Sequence, residues 1–93
     1  MRVRPVRYLR LAHTMNVDIA LFAYLSDYQP DGQGGRSARA FDLPAGTSVA
    51  DVIVMLGLPD EPRVVFLDGR HAPDETVLEE GGRLAIFPPV AGG

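Results

Sequence analysis

Residues Val17-Asp18-Ile19-Ala20-Leu21-Phe22-Ala23-Tyr24-Leu25 carry one charge and are apolar on both of their alternating faces. A strand of this kind must be covered on both sides, so it belongs inside a sheet rather than at an edge. Ile19, Leu21, Ala23 and Leu25 share one face, and Ala20, Phe22 and Tyr24 share the other. The first set should meet a helix. The second needs a cover, either from the chain itself or from a partner. With 93 residues there is room for one small domain, and so for one such sheet.

One helix is written plainly. Ser48 stands as N-cap, and Asp51 three residues on completes a capping box. Val49, Val52, Ile53 and Leu56 then recur at helical spacing on one face. Gly57 suits the left-handed residue after the last turn, Leu58 the apolar contact behind it, and Pro59 the stop. A helix of about nine residues is marginal alone and must be held by packing.

The other segments read as strands and turns. Ser26 to Ala38 is a loop with Pro30-Asp31-Gly32 and Gly34-Gly35 as its turn chemistry. Arg39 to Leu43 is a short second strand, and Arg63 to Leu67 an apolar third. Asp68-Gly69 marks a hairpin, with Arg70 to Ala72 returning. Asp74 to Glu80 reads as a turn of 3₁₀ or short helix with its acids exposed. Arg83 to Phe87 is the last strand, with Leu84 and Ile86 inward and Phe87 on the opposite face. The order β-β-α-β-β-β predicts an α+β fold: a mixed four- to five-stranded sheet packed on one main helix. The last strand should lie beside the first, which is the β-grasp arrangement.

Composition removes several functions. There is no cysteine, hence no disulfide, thiolate metal site or cysteine nucleophile. All nine basic residues are arginine, and a Walker-type phosphate loop needs a lysine. Without lysine the chain also cannot be linked to itself through an internal isopeptide bond. Residues 1–14 hold four arginines and no acid, whereas residues 15–93 hold five arginines against twelve acids. The acidic body disfavours nucleic acid and suits a partner with a basic docking surface. Arginines interrupt every apolar run in residues 1–14, so no signal-peptide core is present. No stretch approaches a membrane span of about 20 apolar residues. A cytoplasmic location is expected. Residues 1–14 read as a dispensable basic extension with Met15 as an alternative start, residues 15–87 as the domain, and residues 88–93 as an extended tail.

No catalytic set emerges. His13 and His71 are the only histidines, with no ligand spacing around them, so no metal is expected. Ser26, Ser37 and Ser48 are better explained as loop or cap residues, and no two carboxylates pair for acid–base work. The chemically special stretch is Phe87-Pro88-Pro89-Val90-Ala91-Gly92-Gly93. The two prolines fix φ, cannot donate to a ladder, and push Phe87 towards an extended conformation. The two glycines lack Cβ atoms, so the backbone can thread a narrow channel. The tail thus reads as an arm that leaves the body stiffly and ends in a mobile carboxylate.

That tail resembles the tail of the molybdopterin synthase small subunit, a ubiquitin-like sulfur carrier, and the resemblance extends from about Val17 to Gly93. It implies that the Gly93 carboxylate is adenylated by a ubiquitin-activating-like adenylyltransferase and converted to a thiocarboxylate, with Pro88, Pro89, Val90, Ala91 and Gly92 threading the partner's site. The chain would be the small subunit of a sulfurtransferase, with no catalysis of its own and no cofactor bound. ATP and magnesium would come with the activating enzyme. The other implied partners are a sulfur donor protein and the large subunit of molybdopterin synthase. Phe22 and Phe87 match hydrophobic surface positions of that family and would form the docking face; Phe22 in an ordinary second core layer is the alternative. Three other functions stay open: a carrier for thiazole or amino-acid synthesis, a ubiquitin-like protein modifier, and a non-reactive binding module. Thiazole carriers also end in Gly-Gly, but typically without Phe-Pro-Pro before it.

Overall fold

A computed structural model describes residues 13–30 and 38–89 of the chain. The expectations for residues 1–12, for the part of the Ser26–Ala38 loop within 31–37, and for Val90, Ala91, Gly92 and Gly93 lie outside the described residues. The elements run β1 (Thr14–Leu21), a 3₁₀ turn (Ala23–Tyr28), β2 (Arg39–Pro44), α1 (Val49–Leu56), β3 (Val64–Leu67), β4 (Arg70–His71) and β5 (Arg83–Phe87). The five strands lie in the order β2-β1-β5-β3-β4. β1 and β5 run parallel, and every other pair is antiparallel. The last strand therefore lies beside the first, as the order of elements predicts.

Strand parity sorts the side chains into two faces. Val17, Ile19 and Leu21 of β1 and Leu84 and Ile86 of β5 point to one side, where none has any solvent exposure. Val49, Val52 and Ile53 of α1 close over them in the same cluster, joined by Met15, Leu43, Val65 and Leu78. Each such side chain contributes about 1.5–3 kcal/mol by leaving water.

α1 is bounded as its sequence requires. The Ser48 hydroxyl accepts from the Asp51 N–H at 3.2 Å, and the Asp51 carboxylate accepts from the Ser48 N–H at 3.0 Å. Gly57 takes φ = 70°, and the Leu58 N–H reaches back to the Ile53 carbonyl at 3.1 Å. The pairing brings Leu58 into the core and satisfies carbonyls that the helix end would leave open. Replacing Ser48 with Ala should cost about 1 kcal/mol. In a domain of this size that lowers the melting temperature by about 4–8 °C. Thermal denaturation followed by circular dichroism measures it, and an unchanged midpoint would deny the cap its role.

Two elements differ from expectation. β1 begins at Thr14, ahead of Val17, because Thr14 and Met15 pair with Pro44 and Leu43. It ends at Leu21, ahead of Leu25. The Phe22 N–H makes the final rung to the Ile86 carbonyl at 3.0 Å. Beyond Phe87 of the partner strand stand two prolines without N–H groups, and Ala23 at φ = 55° turns the chain out of the β region. Leu25 still reaches the core, at 2% exposure, but it arrives through the 3₁₀ turn and not through strand alternation.

The second difference is Asp74–Glu80, where no helix forms. A turn at Pro73–Thr76 leads into an extended run in which Val77 bridges to Ser48, and Leu78 is buried. The Leu78 side chain fills the core beside α1, and an extended backbone delivers it there. The acids of this segment are exposed. At the β3–β4 hairpin, Asp68 and Gly69 both take positive φ, 53° and 83°, the paired left-handed geometry that suits tight hairpins.

Candidate functional site

The sheet face opposite α1 gathers the aromatic residues. Ala20, Ala85 and Phe66 stand side by side across β1, β5 and β3, with Val64 and Phe87 in the neighbouring pair. Phe22 continues this face beyond the end of β1. Its ring stacks on Phe87, with centroids 4.2 Å apart and planes inclined by 12°. Phe66 meets Phe87 edge to face at 6.1 Å, and His71 meets Phe66 the same way at 6.0 Å. All three phenylalanines are half-buried. The two residues singled out from sequence, Phe22 and Phe87, are thus in direct contact. The face is neither a closed second core layer nor a set of isolated exposed rings.

Between the rings, the small Ala85 leaves an open hollow of about 600 Å³ lined by Phe66, Asp68, Gly69, Arg83, Ala85 and Phe87. Its polar end is fixed by backbone bonds. The Asp68 carboxylate accepts from the Arg83 N–H, and the Asp68 N–H donates to the Arg83 carbonyl, both at 2.9 Å. The hollow thus has an aromatic wall and a charged lip.

The root of the tail adjoins this face. Phe87 is both the last residue of β5 and the centre of the aromatic group, and Pro88 follows directly, half-buried, with Pro89 exposed. Anything that binds the rings is therefore held beside the start of the tail. Of the tail residues predicted to thread a partner, only Pro88 and Pro89 are described.

The remaining candidates have local duties. The Ser26 hydroxyl donates to the Ala23 carbonyl at 2.8 Å, and Ser48 caps α1. His71 is an exposed strand residue. Among the described residues no three of His, Asp and Glu converge as a metal site, and no helix is long and apolar enough to cross a membrane.

Two contributors escape a reading by sequence. Phe66 joins the aromatic group because β3 pairs with β5; its only sequence signal is its alternation with the buried Val65. The Tyr24 hydroxyl donates to the Glu61 carboxylate across 37 positions of chain. That bond, more than desolvation, holds the Tyr24 phenol above its ordinary pKa.

A mixed sheet in this order on a single helix defines the ubiquitin-like β-grasp class. Residues 20–93 match the ThiS family, and the chain belongs to that family of ubiquitin-like sulfur carriers. The matched range includes Gly92 and Gly93. No curated protein matches the chain. Among solved structures, the HVO 2177 protein of Haloferax volcanii is 26% identical, with a TM-score of 0.68 over 86% of this chain and 88% of that one. Small archaeal modifier protein 1 of H. volcanii is 22% identical, with a TM-score of 0.63 over 82% and 99%. The complex of subunits 1 and 2 of molybdopterin-converting factor from Helicobacter pylori includes a chain 19% identical, with a TM-score of 0.51 over 85% and 100%. The last two are likenesses of fold.

Proposed function

We propose that this chain carries sulfur on the carboxylate of Gly93 for the assembly of a molybdopterin, for molybdenum or tungsten, as the small subunit of a molybdopterin synthase. The observation that carries the reading is the Phe22–Phe66–Phe87 face joined directly to the root of a Gly-Gly tail, in a chain of the sulfur-carrier family. An apolar group of this kind beside a reactive terminus suits repeated docking to successive partners.

The terminal carboxylate has a reference pKa near 3.5 and is anionic at neutral pH. An anion is a poor electrophile but a competent nucleophile. One of its oxygens attacks the α-phosphorus of ATP, pyrophosphate leaves, and the acyl-adenylate exposes its carbonyl to sulfur from a donor protein, with loss of AMP. Nucleotide, magnesium and neutralising cations belong to an activating enzyme of the ubiquitin-activating type. The thiocarboxylate sulfur then attacks an activated carbon of a precursor held by the large subunit. The two-subunit complex among the fold neighbours supports a large-subunit partner, and the acidic body suits basic docking surfaces.

The test is intact-mass analysis after incubation with an activating enzyme, ATP, magnesium and a sulfur source. The expected product has one oxygen replaced by sulfur. Transfer of the whole chain to lysines of other proteins, with no thiocarboxylate, would favour a protein modifier instead.

A further inference from the structure

Phe22 is the one aromatic of the docking face that lies outside a strand, although its N–H makes the last rung to the Ile86 carbonyl at 3.0 Å and its carbonyl accepts from the Leu25 N–H at 3.1 Å. Phe66 lies in β3 and Phe87 in β5, whereas Phe22 is the residue between β1 and the 3₁₀ turn. The next residue, Ala23, has φ = 55°, a region disfavoured for any residue with a Cβ. The pose of the Phe22 ring therefore depends on that rung together with whatever keeps the turn from relaxing.

The second half of the turn is well anchored. Leu25 is buried, Ser26 bonds back to the Ala23 carbonyl, and the buried Gln29 side chain donates to the Ile19 carbonyl at 3.1 Å. The first half, Ala23 and Tyr24, is exposed. Among the described residues, its one side-chain bond to another part of the fold is the Tyr24 hydroxyl to the Glu61 carboxylate. The receiving segment is itself braced. The Glu61 N–H donates to the Pro59 carbonyl at 3.0 Å, and Arg63 donates to the same carbonyl at 3.1 Å and pairs with Asp74 at 3.5 Å. This segment leads directly into β3, which carries Phe66.

We propose that Tyr24 is a positioning residue for docking: its bond to Glu61 ties the turn after β1 to the segment before β3 and so holds the Phe22 ring on Phe87 in the arrangement a partner binds. The proposal rests on the docking-face reading above. Without the bond, the exposed half of the turn is free to leave the disfavoured conformation, and the face is competent for only part of the time. Apparent affinity falls in proportion to that fraction.

The experiment is a double-mutant cycle on the full chain, with affinity for the activating enzyme measured by calorimetry. Tyr24→Phe keeps the ring and removes the hydroxyl. A charge-assisted bond of this type is worth enough that affinity should fall about fivefold to tenfold. Glu61→Gln retains an acceptor and should lose less. In the Phe22→Ala background, Tyr24→Phe should make no further difference, because the ring it positions is gone. The ring-proton shifts of Phe22, displaced by stacking on Phe87, should move towards free-chain values in Tyr24→Phe, which a loss of global stability alone would not produce. An equal loss from Tyr24→Phe in both backgrounds would overturn the proposal, since Tyr24 would then act independently of Phe22. Unchanged affinity in Tyr24→Phe, with Phe22→Ala weakened, would also overturn it and leave the docking face standing. Unchanged affinity in Phe22→Ala would remove the docking face itself, and the proposal with it.

Discussion

Deletion of Gly93 should abolish ATP–pyrophosphate exchange and thiocarboxylate formation while leaving the fold and most of the docking affinity intact. Under the proposed function, the carboxylate has to reach a phosphorus atom inside a partner at near-attack distance. A misplacement of about 1 Å can cost roughly a hundredfold in rate. Removing one residue of extended chain withdraws the group by about 3.5 Å. The carboxylate survives on Gly92, so the variant separates reach from chemistry. One residue added after Gly93 makes the converse test, keeping the reach but placing the reactive carbon in a peptide bond. Neither Pro88 nor Pro89, the described residues of the tail, belongs to the core cluster, and both variants should melt with the parent chain. Exchange assays followed by intact mass decide the matter. Undiminished exchange by either variant would mean that the tail is not the reactive element.

Phe87→Ala should weaken docking to the activating enzyme by about thirtyfold, the equivalent of about 2 kcal/mol for an apolar anchor at an interface centre. The cost to the fold should be smaller. Phe87 is half-buried on the open face, outside the fully buried set formed by Leu84, Ile86 and their neighbours. Its ring contacts with Phe22 and Phe66 are real, and aromatic pairs contribute about 0.5–1.5 kcal/mol beyond area. A melting temperature lower by several degrees is therefore expected with the large loss of affinity. Phe66→Ala should behave alike, because its ring forms the other wall of the hollow. A collapse of stability with unchanged affinity would place Phe87 in the core and remove the docking face from the mechanism.

Some elements are legible because their determinants are local. The capping box at Ser48 and Asp51, the left-handed Gly57 and the positive-φ pair at Asp68 and Gly69 each depend on residues within a few positions of one another. Strand β5 is legible for a similar reason: the prolines after Phe87 end it wherever it lies in the sheet. The alternation of Leu84 and Ile86 against Phe87 then assigns both faces without any knowledge of the neighbours.

Residues Val17–Leu25 show where local reading stops. Apolar alternation continues to Leu25, yet the strand does not, because its length depends on the extent of β5, whose paired residues lie 65 positions away, and on the backbone of Ala23. Leu25 and Leu78 are both core residues delivered by irregular backbone, and hydrophobicity alone does not distinguish that route from a strand or a helix. The same limit hides Phe66 and the Tyr24–Glu61 bond.

By itself, then, the sequence determined the single capped helix, the last strand with its inward and outward faces, the proline-stiffened root of the tail and its two glycines, and the absence of cysteine and lysine chemistry. Each follows from residue types at short separation. Only the tertiary structure decided that Phe22 lies on Phe87, that Phe66 completes the group, and that Tyr24 is tied to Glu61. These contacts join residues from 21 to 65 positions apart. They exist because the parallel pairing of β1 with β5 and the antiparallel pairing of β3 with β5 place three strand ends on one face, and strand pairing is a long-range choice that no local pattern encodes.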